Sequence, residues 1–552
     1  MKTRITKLEL LLLVALISPF IILLFHSQNF FMTHDGRYHL ERTFYFLDSY
    51  KEGNFVPSWS RYYNQGFGSP ILIFLFPIAY WISSFLYGLF GNLVVAVKLD
   101  FIFFAAVGAA SIFFFLKNSL KLQASASLIA AAVYLYAPYS LVQIFVRGSL
   151  REFAGMMLVP LVLYALSLKK FWISAVVIAV FLLTDGITAM VFSPVIIGYW
   201  LILFWKADDK KSFFFSSGCS AGLALILGGF IIFPYVFERS NLLWNNAATY
   251  RDHFVYFSQL LNLRWGFGFS MPGPADSMSF QIGVVNIFAV LSGTIILFRN
   301  GVRRNPLPTL FTGIFFLSLF LLLNTPPTQW LWENLKPLQS VQLPWRFLAP
   351  VCFSAAFLAG WVANNWKLPW KITLVTLLFI VALDFRYLRT NEEVVFSPGS
   401  YVKNPSDATA FHEFIPTTRV TTSQFSGFPQ KVELSNSAGS VSNLKESNNT
   451  IAFDLSSPNP VMLRLNTLYF PGWKAYVDGK DVIISVAENP KPPAIELRDI
   501  SGLMQISVPA GVHKIEFRFE DTAVRRVGKA VTLFGLTILG LLIGKAIFKK
   551  SK

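Results

Sequence analysis

The densest group of polar side chains lies near the beginning of the chain, between two apolar stretches. It reads THDGRYHLER over residues 33–42. A carboxylate here, Asp35, can take a proton from an attacking hydroxyl group or hold that hydroxyl in line for attack. His34 and His39 can assist this proton transfer or, with Asp35, ligate a divalent cation, the one cofactor that the cluster suggests. Asp35 can equally be the cap of a following helix, with its carboxylate bonded to backbone N–H groups.

Arginines form the second group with chemical potential. Arg147 and Arg151 lie close together and are followed by Glu152, and Arg346 follows the sequence Leu-Pro-Trp. A guanidinium group matches the oxygens of a phosphate in a bidentate geometry, so these three arginines are candidate ligands of a phosphate or pyrophosphate. The alternative is a structural ion pair between Glu152 and Arg147 or Arg151. Further arginines are found in a later polar segment, at Arg239, Arg251 and Arg264.

The composition of the chain is unusually apolar, and it indicates what kind of structural elements position these groups. Hydrophobic residues make up 54% of the 552 residues, and charged residues only 14%. Soluble domains carry about a quarter charged residues, so much of this chain must face lipid. The net charge of +17 comes mostly from short basic runs between apolar segments. This is a topology signal and argues against a nucleic-acid-binding face.

Twelve apolar stretches could be membrane-spanning helices. They lie near 8–25, 95–116, 122–140, 154–168, 171–188, 190–205, 212–234, 281–298, 307–324, 346–365, 372–388 and 529–546. The first is long for a signal-peptide core and lacks a small-residue cleavage site, which predicts a retained anchor. The two cysteines, Cys219 and Cys352, lie within these stretches, which excludes a disulfide framework and a cysteine metal site.

The positive-inside rule assigns one further apolar run, at 71–90. Basic residues at both ends of the chain place both termini in the cytoplasm, so the number of crossings is even. If 71–90 stays at the outer surface, the basic loops fall inside, at 117–121, 169–170, 206–211, 299–304 and 367–371. If it crosses, all of these loops lie outside. We therefore predict an interfacial or re-entrant element at 71–90, which Pro70 and Pro77 also favour.

The segment 389–526 has a different pattern, with short alternating apolar runs. Asp478-Gly479 between two such runs is a strong hairpin signal, and residues 509–511 predict another turn. We predict an extracytoplasmic antiparallel β-sandwich, inserted between a transmembrane domain at 1–388 and a last helix with a basic cytoplasmic tail at 527–552. Tyr469, Trp473 and Tyr476 are either a sugar-stacking platform or part of the sandwich core.

Two other places could contribute to a site on the outer face. Asp185 lies at the outer end of a predicted helix, where an ionisable group is a functional candidate. It can equally be a turn residue. The Gly- and aromatic-rich strip at 53–70, which contains Trp59, suits either the lining of a ligand groove or an ordinary interfacial loop.

These motifs together resemble a family of bacterial polytopic membrane proteins. The family is catalogued as "6-pyruvoyl-tetrahydropterin synthase-related" and is related to the YfhO-type membrane proteins. The resemblance covers nearly the whole chain and rests on ordered short motifs, at 34–40, 53–59, 66–70, 147–152, 265–268, 279–283, 342–346 and 469–479. A pterin synthase needs a tight histidine cluster, and the six histidines here are scattered.

The family is similar to the C superfamily of membrane glycosyltransferases, with about 12 transmembrane helices. The resemblance implies a polyprenyl-phosphate sugar donor at the outer face and an essential carboxylate in the first outer loop, a role that falls on Asp35. Many superfamily members have two acidic residues there, and this chain has one. Asp185 stands where a histidine is common in the family.

The leading hypothesis is therefore a glycosyltransferase of the cell membrane. Arg147, Arg151 and Arg346 would bind the donor phosphate, and Asp35 would act on a glycan, lipid or protein acceptor with help from His34 and His39. Substrate-binding residues would be Trp59, Glu152, Asp185, Trp265 and Gln281. The rival hypothesis is a non-catalytic membrane protein that binds or moves a lipid-linked envelope precursor. A third, weaker one is an interaction protein whose segment 389–526 is active alone.

Overall fold

The computed structural model describes residues 5–168, 170–243, 250–396, 414–419, 430–435, 439–489 and 500–548. Several basic residues behind the topology prediction lie outside these ranges, namely Lys2, Arg4, Lys169, Lys549, Lys550 and Lys552. The α-helices of the described residues are α1 Lys7–Leu24, α2 Gly36–Lys51, α3 Ile71–Phe74, α4 Ile78–Phe90, α5 Leu93–Phe114, α6 Ala124–Tyr136, α7 Pro138–Phe145, α8 Leu150–Ser167, α9 Phe171–Leu182, α10 Gly186–Val191, α11 Ser193–Trp205, α12 Lys210–Leu227, α13 Gly229–Phe237, α14 Phe257–Leu261, α15 Val284–Asn300, α16 Pro306–Leu322, α17 Pro326–Asn334, α18 Lys336–Gln339, α19 Leu348–Asn365, α20 Trp370–Asp384 and α21 Ala523–Phe548.

A helix or a bent helix pair occupies each of the twelve predicted apolar stretches. Among the described residues, five helices are long and apolar enough to cross a membrane, or up to seven if the bent pairs α6–α7 and α12–α13 each count as one span. Other apolar helices are shorter, so the count of about twelve spans stays a prediction. Large side chains on these helices face outward, such as Ile22 and Leu378, which are 72% and 71% exposed. Such surfaces are those of a membrane protein.

Burial divides the helices into central and peripheral ones. In the segment Pro344–Asn365, which contains α19, 94% of the most apolar stretch is buried, whereas in α21 the share is 6%. Helix α19 packs against α6, α15 and α16 and is the centre of the bundle. Helix α21 contacts α12 and α13, where Gly229 and Gly528 bring the two backbones close together.

The run at 71–90 is not a continuous helix. It divides into α3 and α4, with Pro70 and Pro77 at the residues that precede them. Helix α4 has 13 residues, which corresponds to about 20 Å, short of the roughly 30 Å hydrocarbon core. The broken geometry agrees with the predicted irregular element, and its place in the membrane remains a prediction.

The β-rich region before α21 consists of two antiparallel sheets. The strands of the described residues are β1 Phe30–Phe31, β2 Glu393–Val394, β3 Val432–Leu434, β4 Ser440–Glu446, β5 Thr450–Ser457, β6 Val461–Leu468, β7 Trp473–Val477, β8 Lys480–Val482, β9 Ser485–Val486, β10 Leu503–Val508 and β11 Gly511–Phe519. One sheet has the order β3-β6-β10-β9 and the other β4-β5-β11-β7-β8, while β1 pairs with β2. The predicted antiparallel, sandwich-like architecture is confirmed.

The predicted hairpin turn at Asp478-Gly479 is confirmed. It joins β7 to β8, and both residues have positive φ angles, 49° for Asp478 and 78° for Gly479. Two positive φ angles match the right-handed twist of a tight hairpin. Residues 509–511 form a connection of another kind, because β10 and β11 belong to different sheets.

The β-rich region is docked onto the segment that follows α2. Leu468 N donates to Phe67 O at 2.9 Å, and Lys431 Nζ donates to Gly66 O at 2.8 Å. Arg61 reaches Glu446 O with one nitrogen and Asp48 with another. These contacts join the β-rich region to the segment that follows α2, the helix that begins after Asp35.

Candidate functional site

A backbone crossing holds Asp35 beside Arg147. The N–H group of Asp35 donates to Arg147 O at 2.7 Å, and the N–H group of His34 donates to Val146 O at 3.2 Å. The crossing is tight because Gly148 has a φ angle of 60° and a Cβ there would lie 2.3 Å from Thr33 Oγ1. Two segments more than a hundred residues apart are thereby fixed against each other.

Asp35 and the arginines line one cavity of about 490 Å³. Its charged and titratable lining residues are Asp35, His39, Arg42, Arg147, Arg151, Glu152, Asp185, Arg239 and Arg346. Its aromatic lining residues are Tyr38, Phe74, Phe76, Tyr235 and Phe414. Five arginines face three carboxylates, which leaves an excess of two positive charges and favours an anionic ligand.

The side chain of Asp35 faces this cavity. It is 37% exposed, and one oxygen accepts from Arg147 Nη2 at 3.3 Å. Asp35 is the N-cap residue of α2, but its side chain makes no capping hydrogen bond. The capping alternative is therefore wrong, since the carboxylate is directed towards the cavity and not towards the helix N–H groups.

Glu152 is the centre of the buried hydrogen-bond network. Its Oε1 accepts from Tyr139 Oη at 2.7 Å and from Gln143 Nε2 at 2.6 Å. Its Oε2 accepts from Arg147 Nη1 and, at 3.3 Å, from Arg346 Nε. The predicted pair between Arg147 and Glu152 thus exists. Glu152 therefore holds Arg147 and Arg346, two of the three predicted phosphate ligands, in place. Because these guanidinium groups already donate to Glu152, fewer of their N–H groups are available to a phosphate.

Arg151 and Asp185 form a looser pair. Arg151 Nη1 lies 4.0 Å from Asp185 Oδ1, and within the described residues Arg151 Nε has no hydrogen-bond partner. Asp185 Oδ2 caps α10 by accepting from the N–H and hydroxyl groups of Thr188, at 2.9 and 2.7 Å. The structural alternative for Asp185 therefore holds for Oδ2, while its other oxygen faces Arg151.

His39 lines the cavity from α2, and Tyr80 of α4 lies behind it. Its Nδ1 is 3.1 Å from Tyr80 Oη, to which Arg42 also donates. Burial lowers the pKa of His39 well below its usual value, and the nearby cations Arg42, Arg151 and Arg147 add to the effect. His39 is therefore a neutral imidazole at neutral pH. Nearby tyrosines raise the pKa of Arg42 despite its burial.

His34 points away from the cavity. Its Nε2 lies 3.2 Å from Phe267 O, and its ring stacks on Phe269 with the centroids 4.3 Å apart. Burial lowers the pKa of His34, partly opposed by Asp35. His34, Asp35 and His39 thus diverge, and no group of three metal-binding side chains occurs in the described part of the chain. These residues do not fit the suggested divalent-cation site.

Three predicted substrate-binding residues lie elsewhere. Trp59 is 1% exposed and packs against Trp473 and Phe519 of the β-rich region. Trp265 stacks on Tyr387, whose hydroxyl donates to Gln281 Oε1. None of the three lines the cavity.

Most of the residues predicted to form an aromatic platform belong to the apolar core of the β-rich region. Trp473 is 4% exposed and belongs to the apolar core beneath the sheets. Tyr469 packs against the same core, whereas Tyr476 is half-buried and bonds to Glu520. This favours the core interpretation.

Sequence reasoning missed two kinds of lining residue. Tyr38 and Arg42 follow Asp35 at the i+3 and i+7 positions, which places them with His39 on one face of α2. That spacing was a usable signal. Phe414 carries no such signal, because only the fold brings it to the cavity.

Comparisons with known proteins give little further information. No family model and no curated protein matches the chain. Among solved structures, the arabinofuranosyltransferase AftD from Mycobacteria, determined by cryo-EM, aligns with a TM-score of 0.45 and 13% sequence identity. The alignment covers 72% of this chain but only 28% of AftD, so this chain spans little more than a quarter of that protein's length. A similarity this low carries no information about the reaction or the substrate.

Proposed function

We propose that the protein is a membrane glycosyltransferase that moves a sugar from a polyprenyl-phosphate donor to an acceptor hydroxyl at the outer face of the cytoplasmic membrane. The observation that carries the proposal is a partly exposed carboxylate, Asp35, at a cavity with an excess of two positive charges. A base and an anion-binding wall are the two parts that this transfer needs. The apolar helices around the cavity suit a lipid-linked substrate.

The reaction would proceed by displacement at the anomeric carbon. The acceptor oxygen forms a bond to this carbon while the bond from the carbon to the phosphate oxygen breaks. The acceptor proton passes to Asp35, and the electron pair of the broken bond leaves with the polyprenyl phosphate. Before it takes this proton, Asp35 orients the hydroxyl for attack.

The three arginines would contribute to phosphate binding to different degrees. Arg147 and Arg346 already bond to Glu152, whereas Arg151 lies only within 4.0 Å of Asp185. Arg151 is therefore the best-placed ligand for the leaving phosphate, with Arg147 and Arg346 supplying charge behind it. As a neutral imidazole, His39 would position Tyr80 and Arg42 and would not act as a second acid.

The rival function is binding or transport of a lipid-linked precursor without chemistry. The observation that favours it is the same cationic excess, since an anion site by itself needs no base. The two functions differ at Asp35. A binding protein tolerates the loss of this carboxylate but depends on Arg151.

The test compares variants in cells from which the gene has been deleted. Polyprenyl-linked sugars and surface glycans are extracted from cells that carry the wild type, Asp35→Asn, Arg151→Gln or the control Asp208→Asn. Asp208 is an exposed loop residue between α11 and α12. Both cavity variants should accumulate the donor and lack the product glycan. Normal glycan with Asp35→Asn and loss with Arg151→Gln would support the rival function.

A further inference from the structure

A second cavity of about 990 Å³ lies apart from the candidate site. It is bounded by the ends of α8 and α11 and by the continuation of α5, where residues Phe115–Ser119 form a π-helical turn. A π-helical turn replaces the regular hydrogen-bond ladder and often marks a functional position. No residue proposed for sugar transfer lines this cavity.

The two cavities lie at opposite ends of α8. The first is lined by Arg151 and Glu152 in the first turn of α8, and the second by Tyr164 and Ser167 in its last turn. The helix has 18 residues, so its ends are about 27 Å apart. That distance is close to the thickness of the hydrocarbon core, about 30 Å. The second cavity is therefore at the opposite membrane surface.

The rim of the second cavity carries cationic side chains. Lys121 and Lys206 are exposed there, and neither forms an ion pair with any residue that the structure describes. Lys117, on the π-helical turn, differs because its ammonium group bonds to Glu9 at 2.7 Å. No acidic side chain of the described residues therefore neutralises Lys121 or Lys206, and both can pair with an anionic ligand.

The walls of the cavity combine hydroxyl groups with apolar surface. Tyr164 Oη accepts from Asn118 Nδ2 at 3.3 Å, which leaves its own hydrogen to donate to a ligand. Phe114, Leu203 and Leu307, which are half-buried, give the cavity an apolar wall. A cationic rim above an apolar wall matches a molecule with an anionic head and a hydrocarbon tail.

We propose that this cavity binds an anionic phospholipid of the membrane leaflet opposite the candidate site. The lipid phosphate contacts Lys121 and Lys206, and an acyl chain lies along the wall that includes Leu203. Free phosphate would use the rim alone and leave the apolar wall bare. The site is independent of the proposed sugar transfer.

The test measures lipid binding to the full-length protein. The protein is purified from nanodiscs of phosphatidylcholine and phosphatidylglycerol in equal amounts, and the affinity for phosphatidylglycerol is measured by native mass spectrometry. The cavity variant combines Lys121→Ala with Lys206→Ala. The matched control combines Lys210→Ala with Lys211→Ala, two exposed lysines on α12 that do not line the cavity.

The cavity variant should bind phosphatidylglycerol about 25-fold more weakly than wild type, because each lysine near an anionic headgroup contributes about a fivefold factor. The control should keep wild-type affinity, and arginine at 121 and 206 should restore binding, which also shows that the variants fold. Equal affinities of the cavity variant and wild type would overturn the proposal. So would an equal loss in the control, or full displacement of the lipid by excess inorganic phosphate.

Discussion

Replacing Glu152 by glutamine removes the charge at the centre of the buried network. Whichever way the new amide group is oriented, its nitrogen faces two donors. These are Tyr139 and Gln143 on one side, or Arg147 and Arg346 on the other. Removing one partner of a buried ion pair costs about 3–5 kcal/mol, because the remaining charge is left without compensation. We expect Glu152→Gln to lower the free energy of unfolding by about that amount.

The control for this prediction is Glu333→Gln. Glu333 pairs with Arg251 at the surface, where the two side chains are 46% and 66% exposed. An exposed pair contributes only about 0–1 kcal/mol. Both variants would be unfolded in mixed micelles with increasing denaturing detergent and compared with wild type. A loss for Glu152→Gln no greater than that for Glu333→Gln would refute the view that this carboxylate holds the arginines.

Two further predictions concern His39, which lines the cavity, and Gly148, at the backbone crossing. The unfolded chain binds a proton at His39 near pH 6.5 that the folded chain does not bind, so the free energy of unfolding should fall as the pH drops below about 6.5. His39→Gln should flatten this part of the profile measured by denaturation, and an unchanged slope would contradict the assignment. Gly148→Ala should destabilise the protein by about 1–3 kcal/mol, because its positive φ angle and the close Thr33 hydroxyl both oppose a Cβ. Gly53→Ala, at a φ angle of 80° with open space around it, should cost less, and equal losses in thermal unfolding would contradict the crowding argument.

The convergence of Asp35, Arg147 and Arg346 could be predicted from sequence. The positive-inside rule placed all three residues on one face of the membrane, and they do line one cavity. The rule uses only charge and hydropathy, so it predicts which residues lie at the same surface but not which of them contact one another. That Glu152 takes both Arg147 and Arg346 depends on the packing of α7, α8 and the segment before α19.

The position of Trp59 could not be predicted from the sequence. A tryptophan in a Gly-rich loop has the same local sequence whether it meets a ligand or a second domain. Its burial against Trp473 and Phe519 depends on contacts with residues far along the chain. The β-strands and the Asp478-Gly479 hairpin were predictable because alternation and turn chemistry are local. The docking surface between the two regions was not.

The most direct test of the central claim is the rate of sugar transfer by Asp35→Asn. Purified wild type, Asp35→Asn and the control Asp208→Asn are reconstituted into liposomes with the polyprenyl-linked sugars extracted from deletion cells, and the release of polyprenyl phosphate is measured. Loss of a general base should slow the release by about 10²–10⁴-fold in Asp35→Asn, while the control keeps the wild-type rate. Release by Asp35→Asn at the wild-type rate would contradict the assignment of Asp35 as the catalytic carboxylate.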